Sequence, residues 1–440
     1  MIEYPPSLEI HPLPQQVLAC VHVPGSKSMT NRALVLASMY GSEHGSLLGA
    51  LQSEDTEVMI DCLRRLGFQV ETDWDDVQPG IRVSRPADAG LIPADRADLF
   101  VGNSGTSIRF LTAMVSLGRG RYRLDGVPRM RERPMEDLLV ALRQLGVHAY
   151  SERDNGCPPI IVEANGLEGG QVRIKGNVSS QFLSGLLMVA PLARKSVTIE
   201  VEGPLVSEPY VTMTIEMMRR VGLTMETSPG PRMVTVPVRP WRPVSIAIEP
   251  DASAASYFFA AAAITGGAIA VGGMETTSLQ GDVRFVDVLQ KMGCRVERRD
   301  GSTLVRGGPL HGIDVDMNDI SDTVMTLAAV ACFAEGPTTI RNVAHIRHKE
   351  TDRLTALATE LRRIGAGVEE FADGLTITPA PLHGAEIETY NDHRMAMSLA
   401  LVGLRVPGIV IKNPGCVAKT YPNFFRDLER VREQGCHAAG

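Results

Sequence analysis

Basic and hydroxyl side chains gather at several points of this chain, each just before an apolar run that favours a helix. The segment from Pro24 to Arg32 combines a Pro-Gly turn with two serines, a lysine and an arginine, and the segment from Gly102 to Arg109 is a glycine-flanked polar turn. Three more arginines follow in Arg129 to Pro134. Helix N-termini and guanidinium groups both bind phosphate and carboxylate. These segments therefore predict sites for small anions.

Denser mixtures of charge occur in the second half of the chain. Lys349 to Arg353 carries a lysine, two carboxylates and an arginine at a helix start, Asn391 to Arg394 has a similar mixture, and Lys419 precedes the last helix. A carboxylate among cations can serve as a general acid or base if its pKa is tuned. Taken alone, Ser179 to Gln181 and Asp251 to Ser253 are interpreted as helix caps.

Other kinds of site find little support. His345, His348 and His393 lack the spacing of a metal site, and the lysines and arginines around them would repel a cation, so we expect no metal and no cofactor. No Ser-His-Asp or G-x-S-x-G pattern occurs. The seven cysteines form no C-x-x-C pair, which favours a reducing, cytoplasmic location.

The polar segments recur with a regular period. Apolar runs begin at six positions 69 to 78 residues apart, namely Ser26, Ser104, Ser179, Ser253, Asp322 and Asp392. A glycine also closes an amphipathic stretch in each of the first five repeats, at Gly67, Gly146, Gly222, Gly293 and Gly365. The chain therefore reads as six copies of one strand–helix–strand–helix–strand–strand unit.

Each unit contains two kinds of helix. The first is apolar nearly all round and must be buried, whereas the second keeps charges on one face and belongs at the surface. The expected pairs are 28–40 with 55–66, 106–117 with 135–145, 181–190 with 209–221, 254–264 with 283–292, 323–333 with 351–364, and 395–402 with 422–431. This pattern predicts an α/β protein with a core of buried helices, wrapped by sheets and outer helices.

Size and composition are those of a globular enzyme. The 440 residues favour two domains, with a break between the third and fourth units near Trp241 to Pro243. The net charge of −7 and the absence of a basic run argue against nucleic-acid binding. The N-terminus lacks the features of a signal peptide, and the apolar helices are too short to span a bilayer. We therefore expect a cytoplasmic protein with no membrane partner.

Taken together, these segments resemble the 5-enolpyruvylshikimate-3-phosphate (EPSP) synthases, a family of enolpyruvyl transferases. The resemblance runs from about Pro24 to Pro422 and is most specific in 102–109, 349–353 and 391–397. It implies a two-domain inside-out α/β barrel with three βαβαββ units per domain. The domains would be 1–24 plus 248–440 and 25–247, with the active site in the cleft between them.

The resemblance also implies a reaction and its residues. Phosphoenolpyruvate would donate its enolpyruvyl group to the 5-hydroxyl of shikimate 3-phosphate in the shikimate pathway, which leads to chorismate and the aromatic amino acids. The implied catalytic residues are Asp322 as base, with Glu350 and Lys27 for proton transfer. Those for shikimate 3-phosphate are Lys27, Ser28, Arg32, Ser179, Ser180, Gln181, Ser207, Tyr210, Asp322, His345 and Lys349. Those for phosphoenolpyruvate are Lys27, Gly105, Arg133, Gln181, Arg353, Arg394 and Lys419.

Two positions depart from the family pattern. His345 stands where asparagine is common, which would either remove that contact or make it sensitive to pH. Phe110 stands where proline is common, which would shift the turn at Gly105. Because Gly105 itself is kept, the resemblance implies sensitivity to the inhibitor glyphosate. A monomer is expected.

Two rival functions stay open. One is an enolpyruvyl transferase acting on UDP-N-acetylglucosamine, which commonly uses a loop cysteine that the segment Gly126 to Glu132 lacks. The other is a catalytically silent binding homologue, against which the joint presence of Lys27, Asp322, Glu350 and Lys419 argues.

Overall fold

The computed structural model describes residues 3–13, 16–39, 45–75, 78–239, 245–275 and 277–437. These residues form two compact units. The continuous unit is the described part of Gly25–Glu249, and the discontinuous unit is the described part of Met1–Pro24 and Pro250–Gly440. The predicted break near Trp241 to Pro243 lies outside the described residues.

The predicted helices are present as twelve α-helices in the described part of the chain. They are α1 (Lys27–Ser38), α2 (Glu54–Arg65), α3 (Gly105–Val115), α4 (Glu136–Gln144), α5 (Ser180–Val189), α6 (Glu208–Arg220), α7 (Ala252–Thr265), α8 (Phe285–Lys291), α9 (Val324–Ala331), α10 (Arg353–Arg363), α11 (His393–Ala400) and α12 (Phe424–His437). Odd-numbered helices are buried almost throughout, and the even-numbered ones alternate buried and exposed positions. The division into core and surface helices is confirmed.

Helix ends follow the predicted chemistry. Side chains of Ser26, Ser104, Ser179, Asp251 and Asp392 accept a hydrogen bond from a backbone N–H of the helix that each precedes. The five predicted stop glycines all have positive φ angles, between 85° and 115°. One start differs, because Asp322 lies within a 3-10 turn (Asn318–Thr323) and does not cap α9.

The strands form six small sheets. They are β1 (Ser7–Ile10), β2 (Leu18–Val21), β3 (Gly45–Leu48), β4 (Gln69–Asp73), β5 (Gly80–Ser84), β6 (Arg96–Phe100), β7 (Arg119–Asp125), β8 (His148–Ser151), β9 (Ile160–Asn165), β10 (Gly170–Lys175), β11 (Val197–Glu202), β12 (Glu226–Thr227), β13 (Met233–Val236), β14 (Ser245–Ala247), β15 (Ala268–Gly272), β16 (Arg295–Arg299), β17 (Ser302–Arg306), β18 (Asp314–Asp316), β19 (Thr338–Arg341), β20 (Gly367–Phe371), β21 (Gly374–Thr378), β22 (Glu386–Ile387) and β23 (Ile409–Lys412). Each sheet pairs one parallel couple with one or two antiparallel strands.

Sheet order shows how the chain passes between the units. In the continuous unit the orders are β14-β3-β5-β4, β6-β7-β9-β8 and β10-β11-β13-β12. In the discontinuous unit they are β16-β17-β15-β2, β18-β19-β21-β20 and β1-β23-β22. The first and fourth repeats therefore exchange their leading strands, since β2 pairs with β15 and β14 pairs with β3. β1 and β2, which precede Pro24, therefore pair with strands that follow the continuous unit in sequence.

The buried helices of each unit pack on one another. In the continuous unit α3 contacts both α1 and α5, and in the discontinuous unit α9 contacts both α7 and α11. Hydroxyl groups of Ser256, Thr326 and Ser398 link these last three helices at 3.2 and 3.3 Å. The polar segments identified in the sequence lie at the N-termini of these buried helices.

Candidate functional site

Lys27 occupies the first turn of α1 and pairs with a carboxylate from the next helix. Its Nζ lies 3.3 Å from Oδ2 of Asp55, which is buried in the first turn of α2. Ser26 caps α1, and Ser28 follows at its N-terminus. The predicted anion cluster is therefore a helix N-terminus with an ammonium group fixed beside it.

Arg32 lies one turn further along α1 and is 1% exposed. Its guanidinium donates to the hydroxyls of Thr214 (2.7 Å) and Ser184 (3.3 Å) and to the carbonyls of Ser28 (2.8 Å) and Tyr210 (3.2 Å). Burial lowers its pKa to about 10. Arg32 therefore keeps its charge at neutral pH among uncharged acceptors.

Phe110 lies within α3, one turn beyond the start of the helix. The Arg32 guanidinium stacks over its ring at 5.1 Å from the ring centroid, which is a cation–π contact. Ser104 caps α3, and the helix starts at Gly105. The turn at Gly105, where a shift was predicted, thus shows neither a lost cap nor a late helix start.

Gly105 and Arg133 are direct neighbours. A Cβ atom on Gly105 would lie 2.3 Å from Nη2 of Arg133, so this approach requires glycine. Arg133 is buried and donates from Nη1 to the carbonyl of Asn103 at 3.1 Å. The other two arginines of the loop form ion pairs, Arg131 with the buried Asp125 and Arg129 with Glu132.

The third buried helix of the continuous unit adds amide and hydroxyl groups. The side chain of Gln181, in the first turn of α5, accepts from Arg109 (2.7 Å) and donates to Thr106 (3.2 Å) on α3. Ser179 caps this helix, and Ser180 is buried at its start. The amide of Gln181 thus ties the N-termini of α3 and α5 together.

The remaining two predicted residues of this unit lie at the start of α6. Ser207 adopts a left-handed conformation with φ of 51°, and Tyr210 is half-buried in the first turn of the helix. The carbonyl of Tyr210 accepts from Arg32, which connects this helix start to α1.

Asp322 is the centre of a charged cluster in the discontinuous unit. Its two carboxylate oxygens lie 2.7 Å from Arg394 Nη2 and 3.3 Å from Arg353 Nη1, and Lys349 Nζ is 3.8 Å away. The Asp322 side chain is 15% exposed, whereas those of Arg353 and Arg394 are almost wholly buried. The structure therefore brings four of the predicted residues of this unit together.

Arg353 also binds two further carboxylates. It donates to Glu350 Oε2 and Asp392 Oδ2, each at 2.8 Å. Burial alone would lower the pKa of Arg353, but the charges of Asp392, Glu350 and Asp322 raise it above its usual value. Glu350, a predicted proton donor, is thus fixed beside the same guanidinium as the predicted base.

His345 and Lys419 are both buried. His345 lies in a 3-10 turn (Ala344–His348), and burial together with the charge of Lys349 lowers its pKa to about 3. Burial thus favours the neutral ring, which argues against a contact that changes with pH in the physiological range. Lys419 ends a second 3-10 turn (Pro414–Lys419) that contacts α11.

Sequence reasoning missed the partners of these residues. Asp55, Thr214 and Ser184 received no role, and Asp392 was noted only as a helix start. Asp55 gave a weak signal as an acid in the first turn of an amphipathic helix. The two hydroxyls gave none, since serine and threonine are common in buried helices.

The chain matches the family model for EPSP synthase (3-phosphoshikimate 1-carboxyvinyltransferase) over residues 13–428. The 3-phosphoshikimate 1-carboxyvinyltransferase of Nostoc punctiforme is 49% identical over 431 residues, covering 97% of this chain and 100% of that protein. The chloroplastic protein of the same name from Arabidopsis thaliana is 46% identical over 437 residues, covering 95% of this chain and 83% of that protein.

A solved structure gives the same result for the fold. EPSP synthase from Acinetobacter baumannii superposes with a TM-score of 0.75 at 26% identity, covering 97% of this chain and 98% of that one. In the described ranges, no helix is both long enough and apolar enough to cross a bilayer.

Proposed function

The chain belongs to the EPSP synthase family, and we propose that it transfers the enolpyruvyl group of phosphoenolpyruvate to the 5-hydroxyl of shikimate 3-phosphate, releasing phosphate. The likeness to 3-phosphoshikimate 1-carboxyvinyltransferases over nearly the whole chain supports this reaction. One observation on the molecule itself carries it, which is that Asp322 and Glu350 share the guanidinium of Arg353. A base and an acid are thereby fixed in one cluster of cations.

Shikimate 3-phosphate is assigned mainly to the N-termini of the continuous unit. The phosphate and carboxylate would bind to cations and to backbone and hydroxyl donors at the starts of α1, α5 and α6. The residues in this proposal are Lys27, Ser28, Arg32, Ser179, Ser180, Gln181, Ser207 and Tyr210, joined by Asp322, His345 and Lys349 from the discontinuous unit. The proposal thus takes contacts from both predicted domains, 25–247 and 1–24 plus 248–440.

Phosphoenolpyruvate is assigned to a second set of cations. Its phosphate and carboxylate would bind Lys27, Gly105, Arg133, Gln181, Arg353, Arg394 and Lys419. Gly105 belongs to this set because its lack of a side chain keeps the Arg133 guanidinium against the start of α3. The glycine at this position also supports binding of glyphosate, for which an inhibition titration with phosphoenolpyruvate as competitor is the test.

The chemistry needs one base and one acid. Asp322 takes the proton of the 5-hydroxyl as that oxygen bonds to C2 of phosphoenolpyruvate, and Glu350 delivers a proton to C3 as the double bond breaks. The methyl group then returns a proton to Glu350, the double bond re-forms, and the C2–O bond to phosphate breaks. Lys27 supplies the proton and the positive charge that the leaving phosphate requires.

Arg353 and Arg394 keep both carboxylates in place for these steps. Each of the two guanidiniums already binds Asp322, so the base is oriented before substrate arrives. We also propose that the protein acts as a monomer in the cytoplasm, a location that the absence of a C-x-x-C pair among its seven cysteines supports. Size-exclusion chromatography with light scattering tests the first of these statements.

Phosphate release separates the proposed reaction from its two rivals. Purified protein is given phosphoenolpyruvate with either shikimate 3-phosphate or UDP-N-acetylglucosamine. Release with shikimate 3-phosphate alone is the expected result. Release with the nucleotide sugar would establish the rival transferase, and silence with both acceptors would favour the binding homologue.

A further inference from the structure

A buried carboxylate that the proposed reaction does not use lies behind Arg394. Asp282 is 4% exposed and sits in a 3-10 turn (Gly281–Arg284) that packs on α7. Its Oδ2 accepts a hydrogen bond from the hydroxyl of Ser253. The same hydroxyl lies 3.5 Å from Arg394 Nη2, the nitrogen that donates to Asp322 at 2.7 Å. Asp282, Ser253, Arg394 and Asp322 therefore form one continuous chain of polar contacts.

The neighbouring glutamine fixes the position of Asp282. The side chain of Gln280 accepts from the backbone N–H of Ala252 at 3.0 Å and donates to the carbonyl of Pro250 at 2.8 Å. These two bonds attach the turn to the start of α7, next to Ser253. The carboxylate of Asp282 is consequently held by packing and by the backbone, and not by a flexible loop.

The surroundings of Asp282 make its charge responsive to the site. Burial, followed by the charge of Asp322, raises the pKa of Asp282 to about 6. The hydrogen bond from Ser253 and the charge of Arg394 lower this pKa and oppose part of the rise. Asp251, at the start of α7, also favours the protonated form. Asp282 is therefore ionised at neutral pH and gains a proton in mildly acidic solution.

We propose that Asp282, acting through Ser253, is a positioning residue for Arg394 and that its charge sets how strongly Arg394 attracts an anionic substrate. An ionised Asp282 orients the guanidinium but offsets part of its positive charge. A protonated Asp282 leaves more of that charge to the ligand. The inference rests on the proposed function insofar as the anion is phosphoenolpyruvate.

Ser253→Ala tests the positioning contact. It removes the bridge between Asp282 and Arg394, so the KM for phosphoenolpyruvate should rise by about tenfold, while kcat and the KM for shikimate 3-phosphate stay within about twofold. Ser256→Ala is the matched control, since Ser256 is buried on the same helix and bonds to Thr326 instead of Arg394. Equal KM values for the two variants would overturn the positioning role.

Asp282→Asn tests the charge while keeping an acceptor for Ser253. In the unaltered protein the KM for phosphoenolpyruvate should rise as the pH passes upward through about 6, and the variant should lack this step. Phosphoenolpyruvate itself ionises in the same pH range. The quantity to plot is therefore the KM of the unaltered protein divided by the KM of Asp282→Asn at each pH. Asp319→Asn, at a half-exposed carboxylate that pairs with Arg284, is the control. A flat ratio for Asp282→Asn would contradict the proposal.

A titration without substrate separates this inference from the proposed function. Carbon-13 NMR of labelled aspartate carboxyl groups follows Asp282, whose signal is the one missing from Asp282→Asn. Replacing Arg394 by Gln removes the cation, so the midpoint of that signal should move upward by about one pH unit, a tenfold change in proton affinity. An unmoved midpoint would overturn the coupling, even in a protein that shows no turnover.

Discussion

The buried arginines of the two units are stabilised by different kinds of acceptor. In the continuous unit Arg32 donates to hydroxyl and carbonyl oxygens, and Arg133 donates to a carbonyl. In the discontinuous unit Arg353 and Arg394 donate to the carboxylates of Asp322, Glu350 and Asp392. The pKa values diverge accordingly, since burial lowers that of Arg32, and carboxylates raise that of Arg353 against the effect of burial.

This difference gives the two clusters different chemistry. A guanidinium among neutral acceptors keeps its full charge for a ligand, so the first cluster is suited to hold an anion. A guanidinium shared by carboxylates has part of its charge offset, but it fixes groups that exchange protons, so the second cluster is suited to acid–base work as well as to binding. The predictions below test this division.

The largest effect should come from the proposed acid of the second cluster. Glu350→Gln keeps the size of the side chain but removes its proton chemistry, so kcat should fall by about a thousandfold while both KM values change little. Steady-state kinetics measures this directly. Glu370→Gln is the control, because Glu370 also accepts from an arginine, Arg347, at 2.8 Å but lies outside the cluster. An unchanged kcat would remove Glu350 from the mechanism.

Stability should distinguish the two kinds of arginine. Arg353→Met leaves buried carboxylates without their cation and should lower the free energy of unfolding by about 3–5 kcal/mol. Arg32→Met leaves only neutral acceptors and should cost about 1–3 kcal/mol. Urea denaturation of both variants measures the two values.

The pH dependence of these two variants sharpens the test. Without Arg353, buried carboxylates bind protons more tightly in the folded than in the unfolded chain, so stability falls as pH rises. The free energy of unfolding that Arg353→Met loses should therefore be smaller at pH 5.5 than at pH 8. The free energy of unfolding that Arg32→Met loses should be the same at both pH values. The same pH response in both would show that the acceptors do not differ in the way described.

Gly105→Ala tests the first cluster by geometry alone. The added methyl group would meet the Arg133 guanidinium at 2.3 Å and force it away, so the KM for phosphoenolpyruvate should rise by about ten- to a hundredfold. Gly80→Ala is the control, because a methyl group there meets neighbouring atoms at an ordinary 3.6 Å. If KM stayed constant, Arg133 would have no role in binding that anion.

His345→Asn reports on the second cluster through the pH dependence of stability. The folded protein keeps His345 neutral down to about pH 3, but the unfolded chain binds a proton below about 6.5, so stability is lost as pH falls below 6.5. Between pH 8 and pH 5 the free energy of unfolding should therefore drop by about 2 kcal/mol more in the unaltered protein than in the variant. His383→Asn, at the surface, is the control, and parallel curves would contradict the assignment.

Helix positions were predictable because they depend on local chemistry. A capping side chain, an apolar run and a stop glycine lie close together in sequence, and five of the six predicted starts have a capping side chain at or within two residues of them. Asp322 is the exception, since its carboxylate binds Arg353 and Arg394 instead of a backbone N–H. A cap-type residue that does not cap is therefore a candidate for a functional position.

Partners of the site residues were not predictable in the same way. The pairing of Arg32 with Thr214, or of Ser253 with Asp282, joins positions on different helices or turns, and the intervening chain gives no sign of it. The resemblance to a family supplied the candidate residues. It did not supply the hydroxyl and carboxylate groups behind them, because those depend on how the helices pack.

The exchange of leading strands has a consequence for synthesis on the ribosome. β1 and β2 emerge first, yet their pairing partners β23 and β15 follow only after the whole continuous unit has been made. The continuous unit has all its strands between Gly45 and Ala247, so it can fold as soon as β14 is free to pair with β3. Until β15 and β23 have been made, β1 and β2 expose unpaired edges. The prolines at 5, 6 and 12 limit pairing of these edges with other nascent chains. β1 and β2 are thus made before the continuous unit but pair only after it has been made.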